Sequence, residues 1–480
     1  MLRVLKKLAI VLVWLLIWQL ASALVAKPIL LCSPLDVFWT LLSSLFALGF
    51  WSSIAYTMGR ICLGFFSAFF LGMVLGALSW RFRLFAEFFN PAMLCIKSVP
   101  IVCFVVLLLI WFGSAFVSAI AVFLVVLPAV YFPMAEGLRS HDKKLLAMLR
   151  VFRVPIGRQA LSHYWSAIAP FITASSRITV GLSWKSGVAA ELIGLPLNSI
   201  GEGIYQSKIT LSSADLFAWT IVIIAAALAS EKVFLFLLKQ ADDWLWRLAM
   251  PRFHSKTDSK NMAKNSTSGS AEPEAVVVQG LDKCFGDNIV LKNFNVTLQP
   301  GSRYLLMGSS GKGKTTLLML LAGVILPDHG SISTTTRTSV VFQEARLFES
   351  RSAVENIQLV AGKYLSASAI REMLSRVLPD ASLDIEVCQL SGGMRRRVEL
   401  CRALAMPADL LLLDEPFAGL DAASKAISCR LLLDSLGQRT LVLSSHNREE
   451  AGVLSALILK LPDNVGQMPT VEHWPTDTGQ

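Results

Sequence analysis

Six stretches of about 20 predominantly apolar residues fill the first half of this 480-residue chain, each long enough to cross the hydrocarbon of a bilayer as a helix. They run over Leu8–Val25, Ile54–Leu78, Ala92–Phe112, Ala115–Ala135, about Ala167–Leu195 and Ala214–Leu238. The fifth is the most polar. Overall 54% of residues are hydrophobic and 16% charged, too oily for a soluble protein, and the oil is concentrated before residue 240. The pattern predicts a helical membrane domain joined to a soluble one.

The first span is either an anchor or a cleaved leader, because Ala21-Ser-Ala23 resembles a cleavage site. Its apolar run is long for a leader. The net charge of +10 follows the loops. Arg81 and Arg83 follow the second span. Arg139, Lys143, Lys144, Arg150, Arg153 and Arg158 follow the fourth, and Lys239, Arg247 and Arg252 the sixth. The opposite loops carry little beyond Lys27 and Lys208, which predicts both termini in the cytoplasm. No basic stripe with interleaved aromatics points to nucleic acid. The eight cysteines lack paired spacing, which argues against a disulfide framework.

Arg60, Lys97, Arg177, Lys185 and Glu191 fall inside the spans. Charges there are costly and face a cavity or a partner. For Arg60, Arg177 and Glu191 we expect structural pairing or snorkelling. Lys97 and Lys185 are balanced between that and a polar path, and a path lined by them would suit an anion.

Residues 251–274 are rich in Ser, Lys, Asn and Thr and cannot bury a core, which predicts a flexible tether. The expected domains are therefore 1–250 in the membrane, 251–274 as linker and 275–480 as a soluble α/β domain. Within the last, Gly308-Ser309-Ser310-Gly311-Lys312-Gly313-Lys314-Thr315-Thr316 matches the phosphate-cradling pattern G-x-x-x-x-G-K-[ST]. An apolar strand precedes it and a Leu-rich helix follows, so backbone N–H groups and a helix N-terminus would face phosphate. Lys314 can reach terminal phosphates, and the Thr315 hydroxyl can hold Mg²⁺. Leu410-Leu-Leu-Leu413-Asp414-Glu415 is a buried-type strand delivering two carboxylates. Asp414 suits Mg²⁺ and Glu415 suits the polarisation of an attacking water.

Taken together, the phosphate loop, Leu390-Ser391-Gly392-Gly393, Asp414-Glu-Pro-Phe417 and Ala418-Gly-Leu-Asp421 resemble an ATP-binding-cassette ATPase over about residues 275–465. Val340-Val-Phe342-Gln343-Glu344 resembles the family's Q-loop, and His446 its switch histidine. The resemblance implies a P-loop NTPase fold in which two cassettes enclose two ATP molecules head to tail. Loop 308–316 of one would bind phosphates, while Ser391 and Gly393 of the other close over the γ-phosphate. Asp421 joins the nucleotide-contacting set. Phe285 is placed for the adenine, the alternative being a core Phe at a strand end. Glu415, Gln343 and His446 form the catalytic set, with Thr315, Gln343 and Asp414 around Mg²⁺. Met394 stands where many cassettes have Gln, a hairpin between Lys314 and Gln343 looks trimmed, and a regulatory C-terminal domain is not expected.

The first 240 residues resemble the permeases of binding-protein-dependent importers, in the nitrate, sulfonate and taurine branch, of type I architecture. The resemblance rests on Ser33-Pro34-Leu-Asp-Val37, Gly59-Arg60, Trp111-Phe-Gly113 and the spacing of Pro170, Arg177, Trp184 and Glu191. In such permeases the loop after span four docks on the ATPase, here about Asp142–Trp165. This loop is degenerate: Arg153 stands near the family's central glycine, and the Leu-Pro pair is lost around Ser166.

The chain thus resembles a half-transporter of a small anion such as nitrate, sulfonate or taurine in the inner membrane, with its ATPase in the cytoplasm. It implies ATP and Mg²⁺ as ligands, a second copy or a paralogous half-transporter as partner, and an external solute-binding protein. Two alternatives stay open. Fusion of permease to ATPase is common in exporters, and a degenerate docking loop would suit a membrane-tethered ATPase that regulates rather than transports.

Overall fold

The computed structural model describes residues 2–251, 275–309, 311–333, 337–462 and 466–473. Apart from Pro251, the tether read at 251–274 lies outside the described residues, as does Ser310. The chain divides into two compact units. One comprises Met1–His141 with Ala167–Trp244, the other Asp142–Ser166 with Leu245–Gln480.

Eleven α-helices precede the first strand among the described residues: α1 Leu2–Val25, α2 Pro34–Ser44, α3 Leu48–Arg81, α4 Arg83–Ser98, α5 Ile101–Phe112, α6 Ser114–Arg139, α7 Lys143–Val151, α8 Ile156–Gln159, α9 Trp165–Gly194, α10 Ile200–Ile209 and α11 Ser213–Ala249, with a π-helical turn Ala160–Tyr164 before α9. Among the described residues four are long and apolar enough to cross a membrane, five if α4 and α5 count as one. The predicted third span, Ala92–Phe112, is not a single helix, since α4 and α5 meet at a 101° bend. The cause is Pro100, which forces Val99 out of the helical region to φ −84°, ψ 130°. The 30-residue α9 does not join the apolar set, because serines and the charges Arg177, Lys185 and Glu191 interrupt it.

Helices α3 and α6 pack closely because small residues line their contact. A Cβ on Gly76 would stand 2.7 Å from the Tyr131 carbonyl oxygen, and one on Gly72 would stand 3.1 Å from that of Leu127. Glycine there lets two backbones approach without a hydrophobic driving force between them. At the same interface the Tyr131 hydroxyl lies 2.7 Å from Asn90 Oδ1 and 2.8 Å from Ser79 Oγ.

Of the charges inside the spans, Arg60 and Glu191 pair at 3.5 Å, as expected. Glu191 is fully buried and accepts a 2.8 Å hydrogen bond from Thr57 Oγ1, which itself accepts the Ile200 N–H at 2.9 Å. Arg177, expected to pair or to snorkel, is exposed, and no carboxylate partners it among the described residues. Lys97 and Lys185 are exposed too, Lys97 lying 5.8 Å from the Phe132 ring centre. Thr57→Val would leave two buried polar groups without their shared hydroxyl. We expect a loss of about 1–3 kcal/mol, seen as a lower thermal midpoint of the detergent-solubilised chain. An unchanged midpoint would mean that other groups satisfy both.

The second unit has two sheets. Strands β1 Val276–Phe285, β2 Asn288–Leu298 and β4 His329–Ser333 form an antiparallel sheet in the order β2-β1-β4. The larger sheet contains β3 Arg303–Met307, β5 Thr338–Val341, β6 Leu410–Asp414, β7 Thr440–Ser444, β8 Leu457–Lys460 and β9 Thr470–Glu472 in the order β5-β6-β7-β3-β8-β9. It is parallel except for β9. Its central strands are buried on both faces, with Leu410 to Leu413 and Leu441 to Leu443 fully inaccessible, which is why they read as unbroken apolar runs. The helices here are α12 Lys314–Leu321, α13 Ala353–Ala361, α14 Ala367–Ser375, α15 Gly392–Leu404, α16 Ala422–Leu436 and α17 Glu449–Leu454.

The loop after α6 belongs to this unit. Met148, Leu149, Phe152 and Val154 are buried in the same core as the large sheet. Lys144 forms an ion pair with Glu344, and the ring of Trp246 lies 5.3 Å from that of Phe348. Degenerate as its sequence is, the segment presents an apolar face that the ATPase buries.

Candidate active site

Parallel pairing brings the chemistry to one edge. Strand order β6-β7-β3 aligns the ends of β6 and β7, Asp414 opposite Ser444, beside the end of β3 that leads into loop 308–313. Ligands of open α/β sheets collect at this carboxyl edge.

The loop folds as its glycines require. Gly311 and Gly313 have φ of 82° and 87°, and a Cβ on Gly313 would meet Val290 Cγ1 at 2.8 Å. Gly313 caps α12, so Lys314, Thr315 and Thr316 form its first turn. Lys314 is buried, and its Nζ reaches back across the loop to donate to the carbonyl oxygens of Gly308 at 2.7 Å and Ser309 at 3.1 Å. An ammonium held there, at the N-terminus of α12, suits a polyphosphate.

Asp414 is 4% exposed and accepts a 2.6 Å hydrogen bond from Ser444 Oγ. The same hydroxyl accepts the Glu415 N–H at 3.0 Å. Glu415 sits in the left-handed region at φ 49°, a strained conformation for a non-glycine residue. Its carboxylate lies 3.0 Å from His446 Nε2, so acid and imidazole, 31 residues apart in sequence, meet in space. Two residues the motifs did not single out hold this edge together. Ser444 ties the two carboxylate positions. Arg396 donates to the carbonyl oxygens of Asp414, Glu415 and Phe342. The Arg395-Arg396-Arg397 run reads as a solvated face, but Glu399 at i+3 from Arg396 was a legible sign of pairing.

The remaining residues are more dispersed. Gln343 is exposed just beyond β5. Phe285 ends β1 in the other sheet. It is 52% exposed with Lys283 Nζ 5.4 Å from its ring centre, so it is not a core residue. Ser391 is exposed at the N-terminus of α15, its hydroxyl capping Met394 N–H at 3.3 Å. Gly393 packs beside Leu420, where a Cβ would come within 3.2 Å. Asp421 precedes α16 and is exposed. The eight cysteines are free thiols.

Comparison with known proteins agrees with both halves. The ABC transporter model matches residues 291–418, and that of the binding-protein-dependent transport system inner membrane component matches residues 68–241. The aliphatic sulfonates import ATP-binding protein SsuB 1 of Nocardia farcinica is 37% identical over 195 residues, 40% of this chain and 80% of that protein. Its counterpart SsuB 1 of Paracoccus denitrificans is 38% identical over 195 residues, 40% of this chain and 81% of that protein. Among solved structures, a dimeric bacterial ABC transporter cassette is 25% identical, covering 40% of this chain and 97% of that one with a TM-score of 0.37.

Proposed function

The chain belongs to the ABC transporter family, a multi-pass permease and an ATP-hydrolysing cassette in one polypeptide, and from that premise we propose that it imports a small sulfonate-type anion as half of a two-chain transporter. The observation that carries the import reading is the coincidence of two matches: a binding-protein-dependent permease and an ATPase akin to sulfonate import proteins. The exposed cations Lys97, Arg177 and Lys185 on the membrane helices fit an anionic solute. The membrane is the cytoplasmic one, with the ATPase facing the cytoplasm where ATP is.

Within the cassette, loop 308–316 holds the phosphates of ATP, Lys314 neutralising the terminal ones. Phe285 offers an exposed ring to the adenine. Thr315, Gln343 and Asp414 would hold Mg²⁺. Their hydroxyl, amide and carboxylate oxygens are the hard donors that ion prefers. When bound it would offset the charge that develops on the phosphates. Glu415 accepts the proton of the attacking water, and His446 orients the Glu415 carboxylate and reaches toward the γ-phosphate. Ser391, Gly393 and Asp421 serve the nucleotide of a second chain, because Ser391 faces outward from α15. One chain carries one phosphate loop and one Ser-Gly-Gly segment, and a two-fold dimer completes both sites.

The test is uptake. The full chain is reconstituted in vesicles with Mg-ATP on the ATPase side and, on the other side, a sulfonate-binding protein loaded with radiolabelled taurine. We expect taurine to accumulate on the ATP side against its gradient. Movement in the opposite sense would make it an exporter. ATP hydrolysis with no solute movement would favour the regulatory alternative.

A further inference from the structure

The segment that follows α7 has an unusual residue at its turn. The Val154 N–H bonds to the Leu149 carbonyl at 3.0 Å, the six-to-one bond that closes a helix C-terminus when the residue between is left-handed. That residue is Arg153, at φ 52°. Glycine is the residue such a position favours, and a long cation there keeps a strained backbone.

Arg153 lines two adjacent cavities of the ATPase unit. One, of about 320 Å³, also receives Arg158, Arg337, Lys363 and Tyr364. The other, of about 230 Å³, receives Arg150. Neither is lined by an aspartate or glutamate. Of these cations only Arg337 has a carboxylate partner among the described residues, Asp409 at 3.5 Å. Arg153, Arg158 and Lys363, none with a carboxylate partner among the described residues, therefore line the larger cavity, with Arg150 in the one beside it and a phenol and the Thr338 hydroxyl as further hydrogen-bond donors. Like charges gathered in this way repel unless an anion joins them. Guanidinium forks match the oxygens of phosphate- and sulfonate-like groups.

We propose that this cleft is a binding site for a small oxyanion with S–O or P–O groups, which fastens the docking segment to the ATPase. Arg153 and Arg158 come from the segment after α7, while Arg337, Lys363 and Tyr364 come from the ATPase proper. One anion therefore bridges the two. Any state in which the segment loosens binds the anion less well, so the anion biases the equilibrium toward the docked arrangement. The cleft is separate from the phosphate loop, and its occupancy does not depend on the direction of transport.

The test uses the full chain in detergent with the phosphate loop filled by a non-hydrolysable ATP analogue, so that anions do not titrate that loop. Sulfate, phosphate and ethanesulfonate are each titrated calorimetrically against chloride at matched ionic strength. We expect saturable binding of at least one of the three. Arg153→Gly, which also removes the backbone strain, and Lys363→Gln should each weaken it at least tenfold, while Arg376→Gln, which lines neither cavity, leaves it unchanged. Amide exchange across residues 143–159 should slow at least threefold with the bound anion in the wild type but not in Arg153→Gly. Preference for ethanesulfonate would identify an organic solute as the occupant, and preference for sulfate or phosphate a free inorganic ion. Absence of saturable binding, or equal binding in wild type, Arg153→Gly and Lys363→Gln, would overturn the proposal.

Discussion

Replacing Glu415 by Gln should lower the ATPase turnover of the full chain by about 10²–10⁴-fold while leaving ATP binding intact. The substitution is nearly isosteric, so the frame around it persists. Ser444 still accepts the backbone N–H of residue 415, and Arg396 still binds its carbonyl oxygen. What disappears is the carboxylate charge facing His446 Nε2 at 3.0 Å, and with it the capacity to take a proton. The predicted loss corresponds to about 3–5 kcal/mol of transition-state stabilisation. Steady-state phosphate release measures the turnover and binding of a fluorescent ATP analogue measures retention. Turnover within threefold of wild type would place the base elsewhere, whereas loss of binding as well would mean that the substitution disturbed the loop and not only the chemistry.

The strain at Glu415 fits this role. A left-handed glutamate at the tip of a fully buried strand persists only where its surroundings fix it, and here they do so through its N–H and its carbonyl together. That aims the side chain from the sheet edge instead of leaving it to a flexible loop.

The candidate site was legible as a pattern because phosphate chemistry demands fixed spacings. Gly311 and Gly313 must be glycine for their φ values, Lys314 must open the helix, and Asp414 must end an apolar strand. The bend at Val99-Pro100 was visible as a proline, but an apolar count over Ala92–Phe112 does not register a proline that breaks the helix without lowering hydropathy. Whether Arg177 pairs or snorkels could not be read at all, since sequence reveals a charge at membrane depth and not its neighbours. Nor could the partition of the chain. Leu245 and Trp246 continue the helix of the last span, yet Trp246 is 2% exposed in the core of the ATPase unit. Such packing depends on contacts about a hundred residues apart, as with Phe348. The arginine run 395–397 misleads for a related reason: composition says surface, and Glu399 three residues after Arg396 is the one local sign that the middle residue pairs.

That inward cluster supports the second large prediction, that Glu399→Gln should destabilise the ATPase unit by about 3–5 kcal/mol. Glu399 is fully buried and is the only carboxylate that pairs with Arg396 and Arg402 among the described residues. Its Oε2 lies 3.0 Å from Arg396 Nη1, and its Oε1 lies 3.4 Å from Arg402 Nη2 and accepts the Arg346 N–H at 2.8 Å. Burial pushes the Arg402 guanidinium down to about 10, Glu399 opposes that shift, and Arg346 and Arg396 add to it. Two guanidiniums thus share one anion, and neutralising it leaves both without a carboxylate in a low-dielectric interior. For a unit of this size the loss should lower the melting midpoint by roughly 10 °C. Glu372→Gln, which breaks the exposed Arg376–Glu372 pair, should cost at most about 1 kcal/mol. A midpoint for Glu399→Gln within 2 °C of wild type would mean that water reaches the cluster. The same substitution should also depress ATPase turnover at temperatures where the unit remains folded. Arg396, released from Glu399, is the residue that holds the backbone of Asp414 and Glu415, and Arg346, through its Nη1, contacts the Lys144 carbonyl of the docking segment at 3.4 Å. The buried charges therefore lie between the segment after the fourth span and the strand that ends in Asp414 and Glu415, so disturbing them should be felt at both ends.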